Sequence, residues 1–492
     1  MEVEWMTYSL LPLLSLVVPS FIGFLCLFTY PFRFLESFFR RIEKVALLFA
    51  TGLTLLIVMT MVPYVLSGEA LETPVFSLKV DLTNIAGAVG IVLIFLLVSI
   101  FNVEAEKGGR LKPSMYNFFV LLFLVCMLGL LFSYDIFGIF LFVEMTIGVS
   151  IVLVVHNPSK LSPEASFKYL IITAVSALFV LLGILTVFIL TKNSHISSIV
   201  DNSELFRENP RLVMLIVACF IVGLGADIGL VPFHGWVPDI LPGSPPTING
   251  FFTAEPIAFI LTLHKLIYPF YVVYPSQTII LLLLGIGLIC IVFGVLSAFP
   301  QKDFMRMFAY CTIEEFGHMI LPFGLFTSFG FTAGQFYLVN SSLMKAGLVL
   351  CLGSVLITTE TSDMNSLGGL IGKMKNTAWS YIVCAFSITG VPPLSGFYAK
   401  WILYTAIYNF LYPHVGIMLS LSILMLLICM SIVSLVILIR SFQQIFLGQP
   451  TEGLNNLKGI PWAMWLPTLI LALITILLGI QPNILFSLIK QP

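Results

Sequence analysis

Along most of this chain the apolar residues fall in unbroken runs, separated by short polar or basic connectors. About twenty helical residues cross a bilayer, and these runs have that length. Fourteen such spans are predicted. Seven lie at 8–29, 45–66, 82–103, 114–133, 135–156, 166–191 and 212–231. Seven more lie at 248–268, 277–299, 304–325, 328–357, 378–408, 415–440 and 462–485. Membrane β-strands would be short and alternating, so the pattern predicts an all-α polytopic membrane protein.

Two of the spans are interrupted. Span 7 runs into "LVPFHGWVPD" at 230–239, and span 12 contains "ITGVPPLSGFYAKW" at 388–401. Proline removes a donor and clashes with the preceding turn, and glycine loosens the helix. In lipid, broken helices persist only where protein or a water-filled cavity satisfies the freed backbone. Paired breaks in two halves of a transporter point to its ion or substrate site.

Charge follows the same division. Glu144, Lys168 and Asp227 lie in spans 5, 6 and 7, and Glu314, Lys345 and Lys400 in spans 10, 11 and 12. Glu144 and Asp227 are 83 residues apart, Glu314 and Lys400 86. That spacing predicts a five-helix unit used twice, spans 4–8 and 9–13, inverted because each unit has an odd number of helices. The expected divisions are 1–112 (three helices), 113–270 (first repeat), 271–445 (second repeat) and 446–492 (a last helix).

Composition agrees with a membrane location. The chain has 492 residues, 59% hydrophobic and 10% charged, against about 25% charged in soluble domains. Its net charge of −1 offers nothing to nucleic acid. Met1 to Tyr30 has an acidic flank, Glu2 and Glu4, and reads as a retained helix rather than a signal peptide. The eight cysteines form no C-x-x-C pair and the six histidines are scattered. No metal or cofactor of its own is expected in this chain, sodium near Asp227 excepted. Fifteen basic residues fall in connectors after odd spans and five after even ones. Both termini are therefore expected outside, in a cell (inner or plasma) membrane.

A charge at the bilayer centre costs about 2.5–3.5 kcal/mol on insertion scales. Intramembrane ionisable residues are accordingly candidates for ion relays. Glu144 is such a candidate, with a helix–helix hydrogen bond as the structural alternative. Lys345 and Lys400 join it; Lys168 lies near enough to a span end to snorkel instead. His234 is either a proton carrier or a cap for freed carbonyls. Glu314, Glu315 and His318 cluster in "CTIEEFGHM", with one acid on a polar path and the other paired to His318. Asp135 reads as a cap, and Asp303 with Arg306 as a cytoplasmic surface pair.

Five segments carry a family likeness: "SYDIFGIFLFVEM", "VPFHGWVPDILPGSPPT", "KDFMRMFAYCTIEEFG", "NSSLMKAGLVL" and "GVPPLSGFYAKW". In this order, over residues 110–445, they resemble the antiporter-like subunits. These include Mrp-type sodium/proton antiporter subunits, proton-pumping membrane subunits of complex I and relatives in membrane-bound hydrogenases. The resemblance implies fourteen helices with two inverted five-helix repeats. It implies partners as well: other membrane subunits, further antiporter-like ones included, with lipid around them and H+ and/or Na+ as cargo. It gives Glu144 the role of the paired acid, and Lys345 and Lys400 those of the relay lysines. The acid in "AYCTIEEFG" is most similar to the hydrogenase-type branch. The end of the chain soon after span 14 implies that the long lateral helix of the largest complex I subunits is missing.

The likeness also has gaps. The lysine expected before "PFHxW" falls on Asp227, that of span 8 on Ala258 or Phe259, the span 11 histidine on Ser341, and the lysine two after Asp303 on Met305. Glu255 lies about one turn from the span 8 position. Two carboxylates in an apolar bundle cannot both stay charged without a cation or proton between them. Asp227 is therefore expected to share one with Glu144 or Glu255, unless it only caps the broken helix or pairs with a lysine such as Lys168. The resulting expectation is an ion-translocating subunit of a redox-driven, hydrogenase- or complex I-like assembly, with a modified first half-channel. The alternatives are an Mrp subunit without a redox partner, or a structural subunit without transport.

Overall fold

The computed structural model describes residues 10–28, 36–73, 77–106, 108–449 and 459–489, with backbone only for 36–42. Arg33, Lys107 and Lys458 of the basic count lie outside the described residues, as do Glu2, Glu4 and the side chains of Arg40 and Arg41.

Helices α1 (Leu11–Phe28), α2 (Glu36–Leu66), α3 (Ile85–Ala105) and α4 (Pro113–Phe132) open the chain. A hairpin of β1 (Leu71–Thr73) and β2 (Leu78–Val80), unforeseen in the sequence, joins α2 to α3. Helices α5 (Ile136–Val155), α6 (Leu161–Thr191) and α7 (Pro210–Ile228) follow, the last ending at the first break. A 3-10 turn at His234–Trp236 leads into the short α8 (Val237–Gly243). Span 8, expected as one helix, is divided at Thr253 into α9 (Pro246–Phe252) and α10 (Glu255–Val273). The second part holds α11 (Gln277–Ala298), α12 (Phe304–Phe323), α13 (Ser328–Thr359) and α14 (Lys375–Thr389). After the second break come α15 (Ser395–Phe442) and α16 (Trp462–Ile480).

Twelve helices among the described residues are both long and apolar enough to span a membrane. The difference from fourteen has two physical causes. Glu314, Glu315 and His318 lower the hydropathy of α12, although all three are buried within it. Helix α15 is two arms joined at Gly416, whose φ of 79° and ψ of 169° are not helical.

Both breaks are built alike. Gly229 ends α7 at φ 90°, and Gly390 ends α14 at φ 91°, a left-handed conformation that glycine adopts without a Cβ clash. A proline follows each within three residues, with cis bonds at Val231–Pro232 and Pro392–Pro393. Freed groups are satisfied locally: Trp236 Nε1 donates to Ala226 O at 2.9 Å, and Gly396 N–H to Ser387 Oγ at 3.0 Å.

Other features recur five spans apart. Asp135 caps α5 by accepting from the Phe137 and Gly138 amides, and Asp303 caps α12 by accepting from Met305 and Arg306. Each acid also makes a β-bridge to the connector beyond the next long helix, Asp135 to His195 and Asp303 to Asp363. Those helices, α6 and α13, both end in a left-handed residue, Lys192 (φ 55°) and Glu360 (φ 57°).

Close packing fixes where the polar side chains sit. A Cβ at Gly223 would lie 2.4 Å from Val180 Cγ2, so α6 and α7 nearly touch and Ser176 reaches Asp227. A Cβ at Gly294 would lie 2.5 Å from the Glu314 amide nitrogen, which presses α12 onto α11. Small residues at such contacts are how membrane helices approach closely.

Candidate ion-translocation site

Asp227 stands in the last turn of α7, 1% exposed. Its Oδ1 accepts from Ser176 Oγ at 2.6 Å, and its Oδ2 has no hydrogen-bond partner. Glu255 occupies the first turn of α10, where the helix dipole favours an acid. It is 7% exposed, and its Oε1 is likewise without a partner. Lys345, midway along α13 and 2% exposed, holds Nζ 4.4 Å from the Phe316 ring centroid, a cation–π contact. These three side chains line one cavity of about 40 Å³, together with Asn249, Thr253 and Thr312.

A second cavity, of about 10 Å³, adjoins the first through Phe308, Thr312 and Lys345, which line both. Glu314, Glu315 and Ser434 face it. Glu315 Oε2 accepts from Tyr337 Oη at 3.0 Å and from Ser341 Oγ. Glu314 Oε2 accepts from Ser434 Oγ, while Oε1 has no partner. One ligand atom from each of Glu314, Glu315 and His318 falls within 4.8 Å of the others. Lys400, buried at the start of α15, acts electrostatically on Glu314 and donates to Ser431 Oγ at 2.8 Å. Ser431 Oγ also bonds Tyr404 Oη at 3.0 Å. The result is a row of acids and lysines running from Asp227 to Lys400 through the interior, with hydroxyls bonded to Asp227, Glu314, Glu315 and Lys400.

The structure brings together Asp227, Glu255, Lys345, Glu314, Glu315, His318 and Lys400, and leaves three expected site residues apart. Glu144 is half-buried with Oε1 unpartnered, and lines neither cavity. Lys168 has a 46% exposed side chain and pairs with Glu164 and Asp239, each at 2.8 Å. Its position near the start of α6 lets the long stem carry the ammonium to the surface, so Lys168 is not the partner of Asp227. His234 packs its half-buried ring on Phe293, 4.3 Å between centroids, with Nδ1 unpartnered.

Two expected pairings are also corrected. Arg306 Nη2 pairs with Asp239 at 3.3 Å, because the Asp303 carboxylate is taken up by the α12 amides and Ser362 Oγ. His318 turns Nδ1 to the Glu314 backbone oxygen at 3.3 Å, one turn earlier on its own helix, rather than to a carboxylate.

Sequence reasoning missed the hydroxyls of Ser176, Tyr337, Ser341, Ser431 and Ser434. Such residues are common in membrane helices, and only the fold shows which ones meet an acid. It also gave Lys265, inside span 8, no role. Lys265 lies inside α10, where Nζ donates to Leu131 O at 2.6 Å and Ser133 O at 2.9 Å. It caps the C-terminal end of α4, a favourable place for a cation.

Residues 133–426 match the family model described as "NADH:quinone oxidoreductase/Mrp antiporter, TM". The chain is 28% identical over 411 residues to a Na(+)/H(+) antiporter subunit of Alkalihalophilus pseudofirmus, covering 82% of this chain and 79% of that one. Its fold is similar to a chain in the Mrp complex of a Dietzia species, with TM-score 0.85, 21% identity and coverage of 98% and 96%. A chain in the membrane-bound sulfane sulfur reductase, an archaeal respiratory membrane complex, also gives TM-score 0.85, with 24% identity and coverage of 97% and 96%. The family match spans more than half of the chain and includes every residue of the buried row, so this multi-pass membrane protein belongs to the NADH:quinone oxidoreductase/Mrp antiporter transmembrane family.

Proposed function

We propose that the chain is an ion-translocating subunit of a redox-driven membrane complex, moving H+ and/or Na+ along the row from Asp227 to Lys400. One observation carries this reading: two adjoining cavities share Lys345 and are lined by acids from both halves of the chain. A charge displaced at one end of such a row changes the proton or ion affinity of the next group. The features that recur five spans apart support a five-helix unit used twice. They begin at opposite ends of the bundle, after an even span for Asp135 and after an odd span for Asp303, which supports inversion. The redox module belongs to other chains of the assembly. The acid in "AYCTIEEFG", most similar to the hydrogenase-type branch, supports that coupling. The likeness to the Alkalihalophilus antiporter protein favours the second reading, an Mrp-type antiporter without a redox partner.

Lys400→Ala and Glu314→Gln, assayed for coupled ion transport in vesicles that hold the whole complex, test the proposal. Both should reduce transport while the complex still assembles, since neutral residues cost less in lipid than charged ones. Wild-type transport in both would overturn it.

A further inference from the structure

Asp227 and Glu255 are the two acids of the first half that share a cavity, so their role has to be read from their own surroundings. Asp227 Oδ2 and Glu255 Oε1 are both without a partner, on side chains more than nine-tenths buried, and both residues line the 40 Å³ cavity. A volume above roughly 10–15 Å³ holds one water-sized particle. The cavity's neutral polar groups are turned the same way. The Thr253 and Thr312 hydroxyl hydrogens are committed to the Gly250 and Phe308 carbonyls. Their oxygens are left to accept, as is the second lone pair of Asn249 Oδ1, which takes one bond from Ser244. No histidine or cysteine lines the cavity. The groups free to ligate an ion are all oxygens, which suits a hard cation and not a transition metal.

Charge limits the valence. With both carboxylates and Lys345 ionised, these three side chains carry one net negative charge. A monovalent cation neutralises it, whereas a divalent one would leave an uncompensated positive charge in a medium that penalises it. Charged carboxylate oxygens bind the smaller of the common alkali cations more strongly, at its shorter ion–oxygen distance.

We infer that this cavity binds one dehydrated sodium ion between Asp227 and Glu255, in preference to potassium. The inference rests on the proposed ion path and names its ligand in the first half. Glu144 lies outside the cavity.

The test uses the chain in its purified membrane complex, with thermal unfolding followed in NaCl and KCl at equal ionic strength. Sodium should raise the midpoint saturably over potassium, as a ligand of the folded state does. Asp227→Asn and Glu255→Gln should each raise the half-maximal sodium concentration at least tenfold, and the surface variant Glu164→Gln should not. An equal effect of the two salts on the wild type, or an unchanged sodium response in both cavity variants, would overturn the inference. Should those variants not fold, the wild type decides through carbodiimide modification of the two acids, read by mass spectrometry. Sodium should slow modification of the pair and potassium should not; equal rates refute the site. Loss of the sodium effect with proton transport intact would leave the ion path standing and remove only its sodium site.

Discussion

Asp227 on α7 and Lys345 on α13 line the same cavity. An acid of the first half and a lysine of the second thus share one buried polar space.

The hydroxyl contacts of Glu315 hold that acid on the row. Tyr337→Phe removes the Tyr337 Oη donor at 3.0 Å and leaves the buried Glu315 carboxylate with Ser341 alone. We expect a stability loss of about 1–3 kcal/mol, the cost of an unsatisfied buried acceptor. Denaturation midpoints of the two forms measure it, and an unchanged midpoint would count against this contact.

Packing of α12 is predicted to be intolerant of bulk. Gly294→Ala places a methyl 2.5 Å from the Glu314 nitrogen, against backbone that cannot swing away. Overpacking of this kind costs roughly 1–3 kcal/mol. The shift moves Glu314, so transport should fall along with thermal stability. A variant with wild-type values of both would show that α11 and α12 are less tightly joined.

At the surface, Asp239 ties α8 to α6 through Lys168 and to α12 through Arg306. Exposed pairs contribute about 0–1 kcal/mol and are screened by salt. Asp239→Asn should lower stability by no more than that at low ionic strength, and the difference should vanish in about 1 M salt. A large loss that persists in high salt would mean that Asp239 does more than pair.

Sidedness is open to a direct check. The bias of fifteen basic residues to five predicts that connectors after odd spans lie in the cytoplasm. A cysteine at Asn202, in the connector after α6, should react with an impermeant reagent from outside. Labelling from the cytoplasmic side alone would reverse the orientation.

The breaks were legible in the sequence because glycine and proline act on their own backbone. Gly229 and Gly390 end their helices where "LVPFHGW" and "ITGVPP" predict interruption. Lys345 and Lys400 were legible too, since a charge inside an apolar run is costly wherever it points. What the sequence hides is direction. Lys168 and Lys345 look alike in one dimension, and only packing shows that one ammonium reaches the surface while the other enters the cavity. Glu255 was visible only as a neighbour of a missing lysine, and its meeting with Asp227 depends on the turn at Thr253 that splits span 8. Span 10 was legible as a helix, but not that α12 buries its acids among other helices.

Ion flux through the reconstituted complex carrying Lys345→Met bears most directly on the central claim. Lys345 is the lysine that lines both cavities, and methionine keeps much of its length without its charge. If the row is the path, flux should fall at least tenfold in a complex that still contains the chain. Wild-type flux in an assembled Lys345→Met complex would contradict the path, and with it the function proposed for this protein.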